Sequence, residues 1–229
     1  MARKIPEQRF DELVVAAVEV FIAHGYRQTQ MSDIASAVGV AKGTLYGYVE
    51  SKDALFILCA AHADRQEPLA LPAQLPVAAP PAGSLAALVK QRLNDESIPP
   101  ALFTALSTES SDNPRAEFEA VVGDFYDTLE RNCRAIKLMD RCADHPELRE
   151  IWQAQGREGP RLALERYLAR RIEAGQLRPV VDTALAARLI IEVATTWAVH
   201  IKWDRSPQKF APDVARANAI DFLVHSLVI

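Results

Sequence analysis

Five prolines, Pro68, Pro72, Pro76, Pro80 and Pro81, fall within one short stretch, whereas none lies between Pro6 and Pro68. Proline lacks the backbone donor and its ring clashes with the preceding turn, so a helix interior cannot hold this density. Residues 68–83 therefore read as a proline-rich linker or long loop between a first unit, residues 1–67, and a second, residues 84–229. A chain of 229 residues buries enough surface to fold without a disulfide or metal staple. The three cysteines, Cys59, Cys133 and Cys142, are odd in number and sparse, which points to a reducing, cytoplasmic setting. The opening MARKIPEQRFDE has basic residues but no apolar stretch after them, so no signal peptide is expected. No membrane span is expected either, because Arg188 and Glu192 cut the most apolar late segment.

Within the first unit Phe10, Leu13, Val14, Ala17, Val20 and Phe21 recur at helical spacing, and Gly25 supplies a stop. A second helix follows, with Thr29 as its cap and Ile34, Ala35 and Val38 on one face. Gly39 interrupts the pattern, and a third short helix starts at Ala41 with Leu45 facing inward. Ser51 caps a fourth, in which Asp53 suits the helix dipole and Ala54, Leu55, Leu58 and Cys59 face a core. Two short helices joined by a glycine turn and braced by a longer one form a helix-turn-helix. Such a unit reads DNA by presenting short or hydrogen-bonding side chains from the early turns of its recognition helix, here Lys42, Thr44 and Tyr46. Net charge is −4, and residues 1–60 carry six basic against seven acidic side chains. That balance disfavours wholly electrostatic, non-specific nucleic-acid binding and leaves a small recognition surface on an acidic body.

The second unit reads as helical throughout, over residues 85–96, 101–109, 115–141, 146–174, 183–203 and 212–227. Gly156 and Gly159–Pro160 bend or divide the fourth segment, and Gly175 stops it. Strand-like alternation is absent, so the expected fold class is all-α, a helix-turn-helix domain followed by a helical bundle. Cys133, Cys142 and His145 match no zinc spacing, and the scattered glutamates lack the Glu-x-x-His partner of a di-iron bundle. No phosphate loop, nucleophile elbow or dinucleotide fingerprint occurs. No enzyme activity, cofactor or metal is expected. Phe118, Phe125, Tyr126, Trp152, Tyr167 and Trp197 are candidate walls for an apolar small-molecule pocket between helices. Ile190, Val193, Trp197 and Ile201 form one apolar helical stripe, which spacing alone assigns either to packing within its subunit or to the seam of a homodimer.

The segment HGYRQTQMSDIASAVGVAKGTLYGYVESKDALF, His24 to Phe56, resembles the DNA-binding domain of the TetR family of bacterial transcriptional regulators. MSDIASAVGV is similar to the positioning helix and turn, AKGTLYGYV to the recognition helix, and ESKDALF to the start of the fourth helix. The resemblance implies that Lys42, Gly43 and Thr44 approach bases or phosphates, and that Thr29, Tyr46, Tyr48 and Lys52 brace the phosphate backbone. It further implies a palindromic double-stranded DNA operator, a homodimer built on the last two long helices, and a hydrophobic or amphipathic effector in the second unit. HPELREIW and LRPVVDTALAARLI also resemble pieces of the family's C-terminal domain, more weakly. Three positions depart from the pattern: Ala41 where Ser is common, Gly47 where an aromatic or basic residue is common, and Val49 where Phe is common. They motivate the alternative of a helical ligand-binding or protein-interaction module whose DNA-binding unit is degenerate.

Overall fold

The computed structural model describes residues 7–96 and 98–229. The fold is all-α. Its helices are α1 (Glu7–Gln28), α2 (Met31–Val38), α3 (Lys42–Leu45), α4 (Lys52–His62), α5 (Ser84–Glu96), α6 (Pro100–Leu106), α7 (Pro114–Arg131), α8 (Cys133–Arg141), α9 (Arg149–Ile151), α10 (Gly159–Glu173), α11 (Thr183–Ala198) and α12 (Pro212–Leu227). A π-helical segment, Trp152–Glu158, leads into α10, and a 3-10 turn, His200–Trp203, follows α11. The chain divides into two compact units. One takes residues up to Gln91 together with Arg134–Trp152, and the other takes Arg92–Cys133 with Gln153–Ile229.

This division differs from the boundaries read from proline spacing. α5 begins in one unit and ends in the other, and α8 and the turn after it belong with the helix-turn-helix. The single helix expected over 115–141 is therefore two. Asn132 leaves helical geometry (φ −105°, ψ 19°) and its side-chain amide donates back to the carbonyl of Thr128, ending α7. The segment expected over 146–174 also divides, into α9, the π-helical stretch and α10. Pro160 has no N–H to return to a preceding carbonyl, so regular α-helical bonding cannot run through it.

In the first unit α1 supplies the spine, with Phe10, Leu13, Val14, Ala17 and Phe21 fully buried. Ile34, Leu45, Val49, Leu55, Phe56 and Cys59 close the core from α2, the α3 region and α4. The break at Gly25 is sharp: its φ of 76° is left-handed, and an added Cβ would sit 3.0 Å from the carbonyl of Arg141. Arg141 in turn donates from Nε to the carbonyl of Ile22 and from Nη2 to that of Ala23, both at 2.9 Å. Thr29 does not cap α2, because its hydroxyl turns back to the carbonyl of Gly25 at 2.7 Å. Gln30 is the N-cap instead, and its N–H donates to Asp33 at 2.8 Å. Gly39, left-handed at φ 71°, ends α2, and Ser51 caps α4 by accepting from the N–H of Ala54 at 3.0 Å.

In the second unit α6, α7, α10, α11 and α12 enclose one apolar core of Leu102, Phe118, Val122, Leu164, Leu168, Ile190 and Leu223. Arg171 on α10 is wholly buried beside it. Its Nε donates to Glu117 at 2.7 Å, and its other nitrogens reach the carbonyls of Ala105, Thr108 and Glu109, at the end of α6 and just beyond. One ion pair thereby joins α10 to α7 and closes the C-terminal end of α6, whose last carbonyls have no intrahelical donors. Among the described residues no helix is long and apolar enough to cross a membrane.

Candidate nucleic-acid interface

The α3 helix is a single turn, shorter than the sequence spacing suggests. Ala41 offers it no side-chain cap, and past Leu45 the shorter bonds are three-residue turns, from Gly47 N–H to Thr44 and from Tyr48 N–H to Leu45, each 3.0 Å, beside longer helical bonds from Tyr46 to Lys42 at 3.4 Å and from Val49 to Leu45 at 3.2 Å. Leu45 and Val49 are fully buried and fix this turn to the core. Outward, Lys42, Gly43 and Thr44 are exposed in succession, and Tyr46 is 41% exposed. One cation, one bare backbone position, one hydroxyl and one phenol thus share the exposed side of a short turn. That set can reach acceptors in a groove and phosphate oxygens beside it.

The other three sequence candidates are placed differently. Tyr48 is buried, and its ring stacks on Phe10 at 6.3 Å between centroids. Thr29 is 1% exposed. Lys52 is half-buried. Its Nζ donates to the carbonyls of Tyr26 at 2.9 Å and Thr29 at 3.1 Å, and lies 4.2 Å from the centre of the Tyr26 ring. These carbonyls lie at and just past the broken end of α1, where a cation compensates the dipole. Next to it the Tyr26 hydroxyl donates to Asp53, and burial together with that carboxylate pushes the phenol's pKa up. His145 completes the cluster. Its ring meets Tyr26 edge-on at 4.3 Å, its Nδ1 accepts from the N–H of Glu147 at 3.1 Å, and its Nε2 lies 3.9 Å from Asp53. Burial holds the imidazole pKa below its ordinary value. The cluster holds no three groups arranged to take a metal ion among the described residues.

The six aromatic pocket candidates are divided between the two units. Trp152 belongs to the first unit, where its indole N–H donates to Asp140 at 2.8 Å. Phe118 and Tyr167 stack at 6.2 Å within the core of the second unit, while Phe125 and Tyr126 are buried. Trp197 packs edge-on against Phe210 at 5.7 Å. An open groove of about 440 Å³ runs instead between α7 and α12, lined by Ala116, Ala120, Gly123, Asp127, Arg216 and Ile220 among others. None of the six aromatics lines it.

The candidate dimer stripe is likewise turned differently. Ile190 is 3% exposed in the subunit core, and Val193, Trp197 and Ile201 are half-buried. The apolar side chains that α11 leaves open are Leu185 and Leu189, and those of α12 are Val214 and Phe222. Their spacings of four and eight residues were visible in the sequence. However, α11 is apolar on more than one side, so spacing alone did not say which side meets the core.

The family model described as bacterial regulatory proteins of the tetR family matches residues 13–59, and that of the AefR-like transcriptional repressor C-terminal domain matches residues 131–223. The fatty acid metabolism regulator protein of Bacillus subtilis (strain 168) is 42% identical over 57 residues, which are 25% of this chain and 28% of that protein. The putative mycofactocin biosynthesis transcriptional regulator MftR of Mycobacterium tuberculosis (strain ATCC 25618 / H37Rv) is 46% identical over 39 residues, 17% of this chain and 20% of that one. The chain thus matches less than a third of the length of these curated relatives. Among solved structures, the ketosteroid transcriptional regulator KstR2 of Mycobacterium tuberculosis shares the fold with a TM-score of 0.59 at 17% identity, over 99% of this chain and 97% of that one. AibR in complex with isovaleryl coenzyme A and operator DNA gives 0.53 at 15% identity, over 94% and 98%. With one model on the helix-turn-helix, a second on the C-terminal helices, and a shared fold along nearly the whole length, the chain belongs to the TetR family of bacterial regulatory proteins.

Proposed function

We propose that this protein is a cytoplasmic transcriptional repressor that binds a palindromic double-stranded operator as a homodimer and releases or tightens its grip when a small molecule binds. The observation that carries the reading is the exposed run Lys42–Gly43–Thr44, held on a turn whose Leu45 and Val49 are fully buried. Lys42 and Thr44 address base edges, Gly43 permits close backbone approach, and Tyr46 steadies a phosphate. Thr29, Tyr48 and Lys52 act from behind by fixing the geometry of that face. The second unit carries the dimer contact, through the open apolar residues Leu185, Leu189 and Phe222, and the effector site. No catalytic step is part of this reading. The effector is hydrophobic or amphipathic, and it regulates only by binding the operator-competent and incompetent states unequally.

Selection from random duplex DNA with the purified protein at low salt tests the proposal. Enrichment of an inverted repeat, with half-sites about one helical turn apart (roughly 34 Å), supports it. Failure to enrich any repeat assigns the chain to the alternative, a helical module whose DNA-binding unit no longer reads sequence.

A further inference from the structure

The proline-rich stretch between α4 and α5 is not loose. From Pro68 to Gly83 it carries no charged residue, yet carboxylates from three separate elements hold its backbone. Asp11 of α1 accepts from the N–H of Leu69 at 2.7 Å and pairs with Arg65. Glu50 accepts from the N–H of Ala79 at 2.9 Å. Glu147, between α8 and α9, accepts from Gly83 at 2.9 Å and from Ala86 at 3.2 Å. Those N–H donors hold the carboxyl groups of Asp11 and Glu147 below the usual carboxylate range. Between the anchors, Val77 joins the chain leaving the recognition turn. Its N–H donates to the carbonyl of Tyr48 at 2.8 Å, and its carbonyl accepts from Glu50 N–H at 2.9 Å. The two bonds bracket Val49, the buried residue that seats the turn.

A one-turn helix is intrinsically marginal, because nucleation fixes several residues for each hydrogen bond gained. This one also lacks a capping side chain at Ala41 and has Gly47 in its exit. We propose that residues 64–83 form a positioning strap, in which Val77 fixes the exit of the recognition turn and thereby sets which bases Lys42 and Thr44 reach. Val77 is a positioning residue for sequence discrimination and touches no DNA itself. The proposal rests on the DNA-binding reading above. It makes the proline spacing functional: the five prolines keep the strap extended and remove five donors that would need partners, while the N–H groups of Leu69, Val77, Ala79 and Gly83 meet the carboxylates and Tyr48.

The test compares Val77→Pro, which deletes the donor to Tyr48, with Val77→Ala, which keeps both backbone bonds. Affinities are measured for the selected operator and for an unrelated duplex across a salt series. Val77→Pro is expected to lower operator affinity by on the order of tenfold, because the turn then populates its operator-competent arrangement about a tenth of the time. Affinity for the unrelated duplex and the salt slope should stay as in the wild type, and Val77→Ala should match the wild type throughout. A mere structural brace would instead weaken both duplexes together. That result, or an unchanged operator-to-unrelated ratio in Val77→Pro, overturns the strap while leaving the DNA-binding reading intact. Amide exchange in the DNA-free protein reads the strap without any operator. Val77→Pro should speed exchange at Val49 and Glu50 at least about tenfold while amides in the middle of α1 stay protected, and unchanged exchange there overturns the proposal even if the wild type selects no repeat.

Discussion

Glu117→Ala is the most demanding test of how the second unit is held together. Arg171 is 1% exposed at its side chain and Glu117 19%. The guanidinium donates to Glu117 from Nε at 2.7 Å and from Nη2 at 3.1 Å, and the Tyr167 hydroxyl donates to the same carboxylate at 3.2 Å. Truncation to Ala leaves a buried cation without its counter-charge, its Nε–H without a partner, and a buried phenol without an acceptor. Breaking a buried pair from one side costs about 3–5 kcal/mol. Here Arg171 keeps the carbonyls of Ala105, Thr108 and Glu109 and the Thr108 hydroxyl, so the lower end of that range applies. In a chain of this size roughly 3 kcal/mol lowers the thermal midpoint by about 6–12 °C. Glu117→Gln retains an acceptor for Nε and should recover more than half of the loss. Urea unfolding at neutral pH followed by circular dichroism measures both. A loss under about 1 kcal/mol for the Ala variant, or equal losses for Ala and Gln, refutes the claim that the acceptor at position 117 holds Arg171 in place.

Leu189→Arg should dissociate the dimer in sedimentation at fixed concentration and weaken operator binding with it, because Leu189 is 57% exposed on α11. An intact dimer would move the contact off this face. Stability should fall as pH drops from about 6.5 toward 5. Burial depresses the His145 pKa, and Lys52 acts in the same direction, whereas Asp53, Glu147 and Asp144 oppose it. The unfolded chain therefore binds a proton on His145 that the folded one resists, and protonation at Nδ1 breaks the bond from Glu147 N–H. His145→Asn should flatten that slope, and an unchanged slope would place the titrating group elsewhere; Asp11 and Glu147, with lowered pKa values, act only in more acid solution.

The helix-turn-helix was legible because each of its determinants is local. Apolar residues at helical spacing, Gly39 at a left-handed end and Ser51 three residues before Ala54 act within a turn of themselves. What escaped the sequence lies far apart along the chain. Arg171 meets Glu117 and Thr108 across 54 and 63 residues, and nothing in LARRIEAG marks one arginine as buried and its neighbour Arg170 as exposed. Val77 meets Tyr48 across the proline stretch, whose composition reads as a linker whether it floats or is held. The same reason explains the aromatics. Phe118 and Tyr167 have the spacing of pocket walls and of core alike, and only the fold puts them in contact with each other.

Lys52 and Tyr48 show how residues that the resemblance places at a DNA face also serve the packing of their own unit. A unit of this size has little apolar surface to bury, so its amphipathic side chains are drawn into packing. Tyr48 lies against Phe10, beside Val49 where relatives commonly carry the larger Phe. Lys52 places two of its three ammonium protons on carbonyls at the end of α1 and sets its charge over Tyr26. A carbonyl left without a donor there would free the start of α2, and with it the glycine turn that aims α3. Under the proposed function the cation would serve DNA binding mainly through that geometry. Residues 1–60 are net acidic by one charge, so the face cannot rely on field strength to hold a duplex. Under the proposed function it would rely on Lys42, Thr44 and Tyr46 being in the right place, which the half-buried Lys52 and the proposed strap would secure. On the proposed reading such a chain would discriminate between sequences more by position than by charge, and its operator preference should depend on residues that never touch a base.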